Sequence, residues 1–192
     1  MNSRVGINHH VKHIQKASQS PLDLESLAAA IGILIEKNDI WSGRSGVAGY
    51  AVRAGIDETA SSHDRCGLKP FYCDEDTIED VAEYAKKICQ QSGMSEACLV
   101  LAVIYTDRIQ HHVSMCFEET FLLQKSTVRR LFLVSSYIAS KIYDVDAPED
   151  MWRISKWAAI GGISPDHLRS LEQSFLNHSL QFSLYVHWQE FE

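Results

Sequence analysis

What this 192-residue chain lacks narrows it quickly. None of its five cysteines (Cys66, Cys73, Cys89, Cys98 and Cys116) stands in a C-x-x-C pair. That pattern argues against zinc-ribbon and thioredoxin-like chemistry. The odd count, and a polar N-terminus without an apolar export core, point to a reducing intracellular setting, nuclear or cytoplasmic. No apolar run approaches the roughly 20 residues needed to span a bilayer, so no membrane partner is expected. Basic residues are in deficit, 18 Lys and Arg against 25 Asp and Glu, for a net charge of −7. A nucleic-acid partner needs a basic footprint to neutralise phosphates, and none is visible. P-loop and G-x-G-x-x-G strings are missing, and Gly43-Arg-Ser45-Gly46 is not the G-x-S-x-G of a nucleophile elbow. No internal repeat is visible, which argues for a single copy of one unit. Strand-period runs are absent apart from the terminal stretch Phe182 to Trp188.

What is present is helical texture. Residues 1–20 are polar and read as a disordered leader. Within residues 21–40, Leu22, Leu24, Leu27, Ala28, Ile31, Leu34 and Ile35 set an N-terminal helix that fades at Asn38-Asp39. Residues 41–70, rich in Gly and Ser, read as a long loop. The remaining unit, residues 71–188, is densely helical. Asp76 and Glu79 form a capping-box arrangement, with a stripe of Ile78, Val81, Ala82, Ala85 and Ile88. Gly93 ends that helix and Ser95 caps the next, whose stretch Ala97 to Ile104 is apolar nearly all round. That texture marks the second helix as the expected buried centre. After a looser His111–Gln124 segment, Ser126 opens a third helix. Asp146, Pro148 and Glu149 start a short fourth that ends at Gly161-Gly162, and Ser164-Pro165-Asp166 starts a fifth. The fold class is therefore all-α: five helices around a central one, with an extra N-terminal helix.

Isolated candidates for chemistry fall away. His9 and His13 have i, i+4 metal spacing with His10 between them, but they lie in the polar leader, so no metal or cofactor is expected. His111 and His112 read as loop surface. Asp74, Glu75 and Asp76 read as helix-start carboxylates, and Trp152 and Trp157 as core.

Longer strings carry a resemblance. Tyr105-Thr-Asp107-Arg108 looks like the Y-I-D-R string in the second helix of the cyclin box. Ala139-Ser140-Lys141 is similar to the A-S-K that closes its third helix, and Leu171-Glu172-Gln-Ser-Phe175-Leu176 resembles the L-E-x-x-F-L of its fifth. Arg130-Leu131, Ser95-Glu-Ala-Cys98, Leu34-Ile35-Glu-Lys-Asn38-Asp39 and Ala158-Ala-Ile160-Gly161-Gly162-Ile163-Ser164 resemble one branch, the phosphate-regulation cyclins called P-type or U-type in plants. The chain departs from that pattern at Arg129, where the family has His, and at Ala159, where it has Lys. Five residues instead of four separate Leu176 from Phe182. The M-R-A-I-L substrate-docking string of mitotic cyclins is absent.

The resemblance implies a single five-helix cyclin box and a non-catalytic subunit that binds and activates a cyclin-dependent protein kinase in cell-cycle or phosphate signalling. It assigns the kinase-binding anchors to Lys141 and Glu172, meeting on an apolar wall shared by the third and fifth helices. Arg130 and Leu131 join them through the third-helix entry, and Asp107 takes a structural role. The rival reading is a cyclin-fold transcription adaptor that binds nucleic acid or another protein; it predicts two tandem boxes and a basic face.

Overall fold

The computed structural model describes residue 33 and residues 68–72, 81–117, 125–144, 148–179 and 183–187. Ile33 is helical and exposed. The rest of the expected N-terminal helix, the leader, most of the 41–70 loop and the Asp76–Glu79 cap lie outside the described residues. Within them, five α-helices follow in order: α1 (Val81–Ser92), α2 (Glu96–Phe117), α3 (Lys125–Tyr143), α4 (Ile154–Gly161) and α5 (Pro165–Ser174). Short 3-10 turns lie at Lys69–Phe71, before α1, and at Glu149–Trp152, between α3 and α4, and a π turn, Phe175–Ser179, continues α5.

The central helix is α3, not the more apolar α2. Every residue from 131 to 140 is buried, and α3 packs on all four other helices and on both 3-10 turns. Ser135 belongs to the stripe Val128, Leu131, Phe132, Ser135, Ile138, Ala139 and Ile142, but Thr127, Ser136 and Ser140 lie outside it and are buried as well. Ser135 satisfies its hydroxyl by donating to the Phe132 carbonyl at 3.1 Å. Such local bonds let a short polar side chain enter a core without a distant partner.

The second helix runs further than expected. Residues 111–117 continue α2, so His111 and His112 sit on a helix and not in a loop. No Gly or Pro interrupts that stretch, and extending an existing helix costs far less than nucleating one.

Helix ends are tied across elements. The Lys156 ammonium on α4 donates to the Ser92 carbonyl at the C-terminus of α1 at 2.9 Å, where the helix dipole favours a cation. The backbone N–H of Ser95, just before α2, donates to Asp144 Oδ2 beyond α3 at 3.0 Å.

The expected fourth helix is split. Arg153, in an extended conformation, separates the Glu149–Trp152 turn from α4, and the Trp157 indole N–H bridges the break by donating to the Met151 carbonyl at 2.8 Å.

Between α4 and α5 the chain reverses within Gly162-Ile163-Ser164. Gly162 has φ 69°, a left-handed conformation that glycine adopts without strain. The N–H groups of Gly162 and Ile163 return to the Ala159 and Ala158 carbonyls at 3.2 and 3.0 Å, a Schellman stop. Gly161 lies so close to α3 that a Cβ there would overlap the Leu133 side chain. Ser164 then starts α5 by accepting from the His167 N–H at 3.1 Å, with Pro165 at the first helical position.

Two further regions close the core. Phe175, at the start of the π turn, is fully buried between Phe71 and Tyr105, both edge-on with centroids 6.3 and 6.4 Å away. A π turn takes in about one residue more than an α turn, and it falls where the sequence carries its extra residue. Residues 183–187, which carry no regular secondary structure, are tied to α2 and α3 as a strap. The Tyr105 and Tyr143 hydroxyls both donate to the Leu184 carbonyl, at 2.8 and 3.2 Å. The Val186 N–H donates to the Tyr143 oxygen at 3.3 Å, and Val186 is fully buried.

Candidate functional site

Lys141 and Glu172 are 31 positions apart in sequence and meet in the fold. Lys141 occupies the last turn of α3, where a cation also suits the dipole. Glu172 lies on α5, whose buried Leu168 and Leu171 turn the helix so that position 172 faces α3. The Lys141 ammonium donates to Glu172 Oε1 at 2.7 Å. The side chains stay 40% and 16% exposed, so the pair sits at the surface with its carboxylate the better shielded.

Tyr137 completes the group, one helical turn before Lys141. The ammonium stands 4.9 Å from the centre of its ring, a cation–π distance. Tyr137 is buried and leans on Trp157, with centroids 5.5 Å apart at 52°. Burial pulls the Lys141 ammonium down, but the hydrogen bond and charge of Glu172, aided by Tyr137, outweigh it and the net shift is upward. Burial, followed by the Glu172 charge, pushes the Tyr137 phenol up. The lysine is therefore charged at neutral pH, with a ring beneath it and an anion beside it.

This arrangement leaves hydrogen-bonding capacity unspent. An ammonium has three donors and a carboxylate two accepting oxygens. Among the described residues, Lys141 donates to Glu172 Oε1 and is also engaged by the Tyr137 hydroxyl, while Glu172 accepts through one oxygen. Unused donor capacity on the ammonium, next to an unused carboxylate oxygen, complements a peptide group or a helix end.

The apolar surround expected for this patch is muted. Leu176, four residues after Glu172, is only half-buried. Among the described residues the exposed large hydrophobics are Ile33 at 54% and Tyr185 at 63%, neither close in sequence to the pair.

The other candidate residues lie elsewhere. Leu131 is fully buried, so it cannot touch a partner and instead packs the core. Arg130 points inward to the N-terminal 3-10 turn, donating through Nη1 to the Pro70 and Tyr72 carbonyls at 2.9 and 3.3 Å. Both were assigned to the kinase face, and both act as internal support at the opposite end of α3. Arg129 behaves similarly, donating to the Gly161 carbonyl at 3.2 Å at the C-terminus of α4.

Asp107 is exposed and has no hydrogen-bond or ion-pair partner among the described residues, contrary to its assigned structural role. Its neighbour Arg108 makes the tie instead, donating to the Ser183 carbonyl of the strap at 2.9 Å. Tyr137 and Trp157 are the site residues that sequence reasoning missed. The i, i+4 spacing of Tyr137 and Lys141 was the available signal.

His9, His10 and His13 lie outside the described residues, among which no group of three His, Cys, Asp or Glu could hold a metal. No described helix is long and apolar enough to cross a membrane.

Comparison with known proteins bears on this geometry. The family described as Cyclin matches residues 3–184. Among curated relatives, Cyclin-P3-1 of Oryza sativa subsp. japonica is 33% identical over 110 residues, covering 56% of this chain and 41% of its own length. Cyclin-U2-1 of Arabidopsis thaliana is 28% identical over 123 residues, covering 64% of this chain and 50% of its own. The chain thus spans half or less of the length of these relatives.

Proposed function

The chain belongs to the cyclin family, and on that premise we propose that it is a regulatory subunit that docks on a cyclin-dependent protein kinase through Lys141 and Glu172. A kinase needs its own Lys–Glu pair in place to grip ATP phosphates, and the position of its mobile regulatory helix decides whether that pair forms. A subunit that binds the inward position better populates it. The unused hydrogen-bonding capacity at Lys141 and Glu172 suits the backbone groups of such a helix, and half-buried Leu176, four residues after Glu172, offers apolar area to desolvate. The observation that carries this reading is the 2.7 Å pair between helices three and five, partly exposed and only partly used.

In this reading the docking unit is the box of residues 71–188, working in the cytoplasm or nucleus. The P-type and U-type likeness favours cell-cycle or phosphate signalling as its setting. Arg130 and Leu131 move from contact to support.

The test is titration of the full chain against a panel of purified cyclin-dependent kinases, reading both affinity and kinase activity. Lys141→Ala and Glu172→Ala should each weaken capture by about 2–5 kcal/mol, the cost of stranding one member of a buried charged pair. Thermal unfolding should stay within about 1 kcal/mol of the parent, because a partly exposed ion pair contributes little to the free fold. Full activation of a captured kinase by the double variant would overturn these roles.

A further inference from the structure

A lysine is a poor anchor unless something holds it. Its four-carbon stem carries roughly 2 kcal/mol of rotamer entropy, and a partner that must freeze it loses affinity in doing so. Glu172 alone fixes only one end of a side chain that is 40% exposed. A second point of contact comes from the ring of Tyr137, 4.9 Å from the ammonium.

That ring has little freedom to leave. Tyr137 is 3% exposed and rests on the fully buried Trp157, itself fixed by its indole bond to the Met151 carbonyl. Its hydroxyl lies 3.5 Å from the Trp152 carbonyl, a weak second restraint. Support therefore runs from the 3-10 turn and α4, through Trp157 and Tyr137, to the lysine.

We propose that Tyr137 is a positioning residue of the docking patch: its face holds Lys141 beside Glu172, so that a partner meets the two charges already assembled. The proposal rests on the reading of Lys141 and Glu172 as kinase contacts, and it assigns Tyr137 no contact with the kinase. It also gives α4 a part in docking, as the wall behind the tyrosine.

A double-variant cycle tests it, using the purified cyclin-dependent kinase that binds the full chain most tightly. Tyr137→Leu should weaken capture roughly two- to five-fold, the scale of an exposed cation–π contact. The same change in a Lys141→Ala background should do nothing further. Tyr137→Phe keeps the ring face and loses only the hydroxyl that engages Lys141 and the Trp152 carbonyl, so it should weaken capture less than Tyr137→Leu does. In the parent protein the ε-methylene protons of Lys141 should resonate upfield, shielded by the ring, and return to the ordinary lysine position in Tyr137→Leu.

If Tyr137→Leu weakens capture equally in both backgrounds, the tyrosine serves only the core and the proposal fails. It fails alone if Lys141→Ala weakens capture while Tyr137→Leu does not. If Lys141→Ala leaves capture intact, the docking reading falls and this proposal falls with it. Should Tyr137→Leu not fold, an unshifted Lys141 methylene signal in the parent is sufficient to overturn it.

Discussion

The two ends of α3 carry similar cations put to opposite uses. At its start, Arg129 and Arg130 turn inward and donate to carbonyls of α4 and the N-terminal 3-10 turn. At its end, Lys141 is 40% exposed and donates to one carboxylate oxygen. Side-chain chemistry follows from this contrast. A guanidinium offers five donors in a rigid fork and can join several carbonyls at once, whereas an ammonium is a compact charge on a flexible stem. The first suits fastening a fold, and the second suits a contact that must be made and released. Charge alone would not have separated them; direction does.

Substitutions that respect or cross this division can break it. The largest expected effect on the fold is from Arg130→Ala, which strips donors from two carbonyls of the Pro70–Tyr72 segment. A loss of about 1.5–3 kcal/mol in chemical unfolding is expected, the range for hydrogen bonds to a charged group. Kinase affinity of the folded fraction should be unchanged; a selective loss of affinity would return Arg130 to the docking face. Arg129→Ala should cost less, about 0.3–1 kcal/mol, because it removes one cation from the C-terminus of α4. An unaltered unfolding midpoint would mean that the Gly161 contact carries no weight.

The smallest effect at neutral pH comes from the tyrosines near the other end. Burial pushes the phenols of Tyr105 and Tyr143 above their ordinary value of 10.0. The unfolded chain then ionises first, so the stability they bring is whole below pH 10 and drains as pH rises beyond it. Thermal midpoints should fall between pH 9 and 11, and fall less in Tyr105→Phe. Equal slopes in parent and variant would remove the strap bonds from the account.

Order, helix type and punctuation were legible in the sequence because glycines, capping serines and apolar periodicity are local signals. Gly93, Gly161-Gly162 and Ser164-Pro165 mark helix ends in the structure as they do in the string. The meeting of Lys141 and Glu172 was reached through resemblance, since nothing local joins positions 31 apart. What escaped were matters of direction. A buried serine and a solvated one are the same letter, so α3 looked less central than α2. Arg130 looked like a surface cation because the carbonyls that receive it belong to another segment. The tyrosine under Lys141 was visible only as spacing, and the tryptophan that fixes it comes from a different helix.

The π turn at Phe175–Ser179 has a consequence for any transplant between this chain and its relatives. Each residue of an α-helix advances the chain by about 100°, so one surplus residue turns the exit of the helix by that angle unless the widened turn absorbs it. Excising Asn177 removes the surplus residue from the turn, and weaker bonds from the Tyr105 and Tyr143 hydroxyls to the Leu184 carbonyl are the expected result. Residues 175–179 therefore behave as a phase corrector: a chimera keeps its tail seated only if the whole turn travels with it.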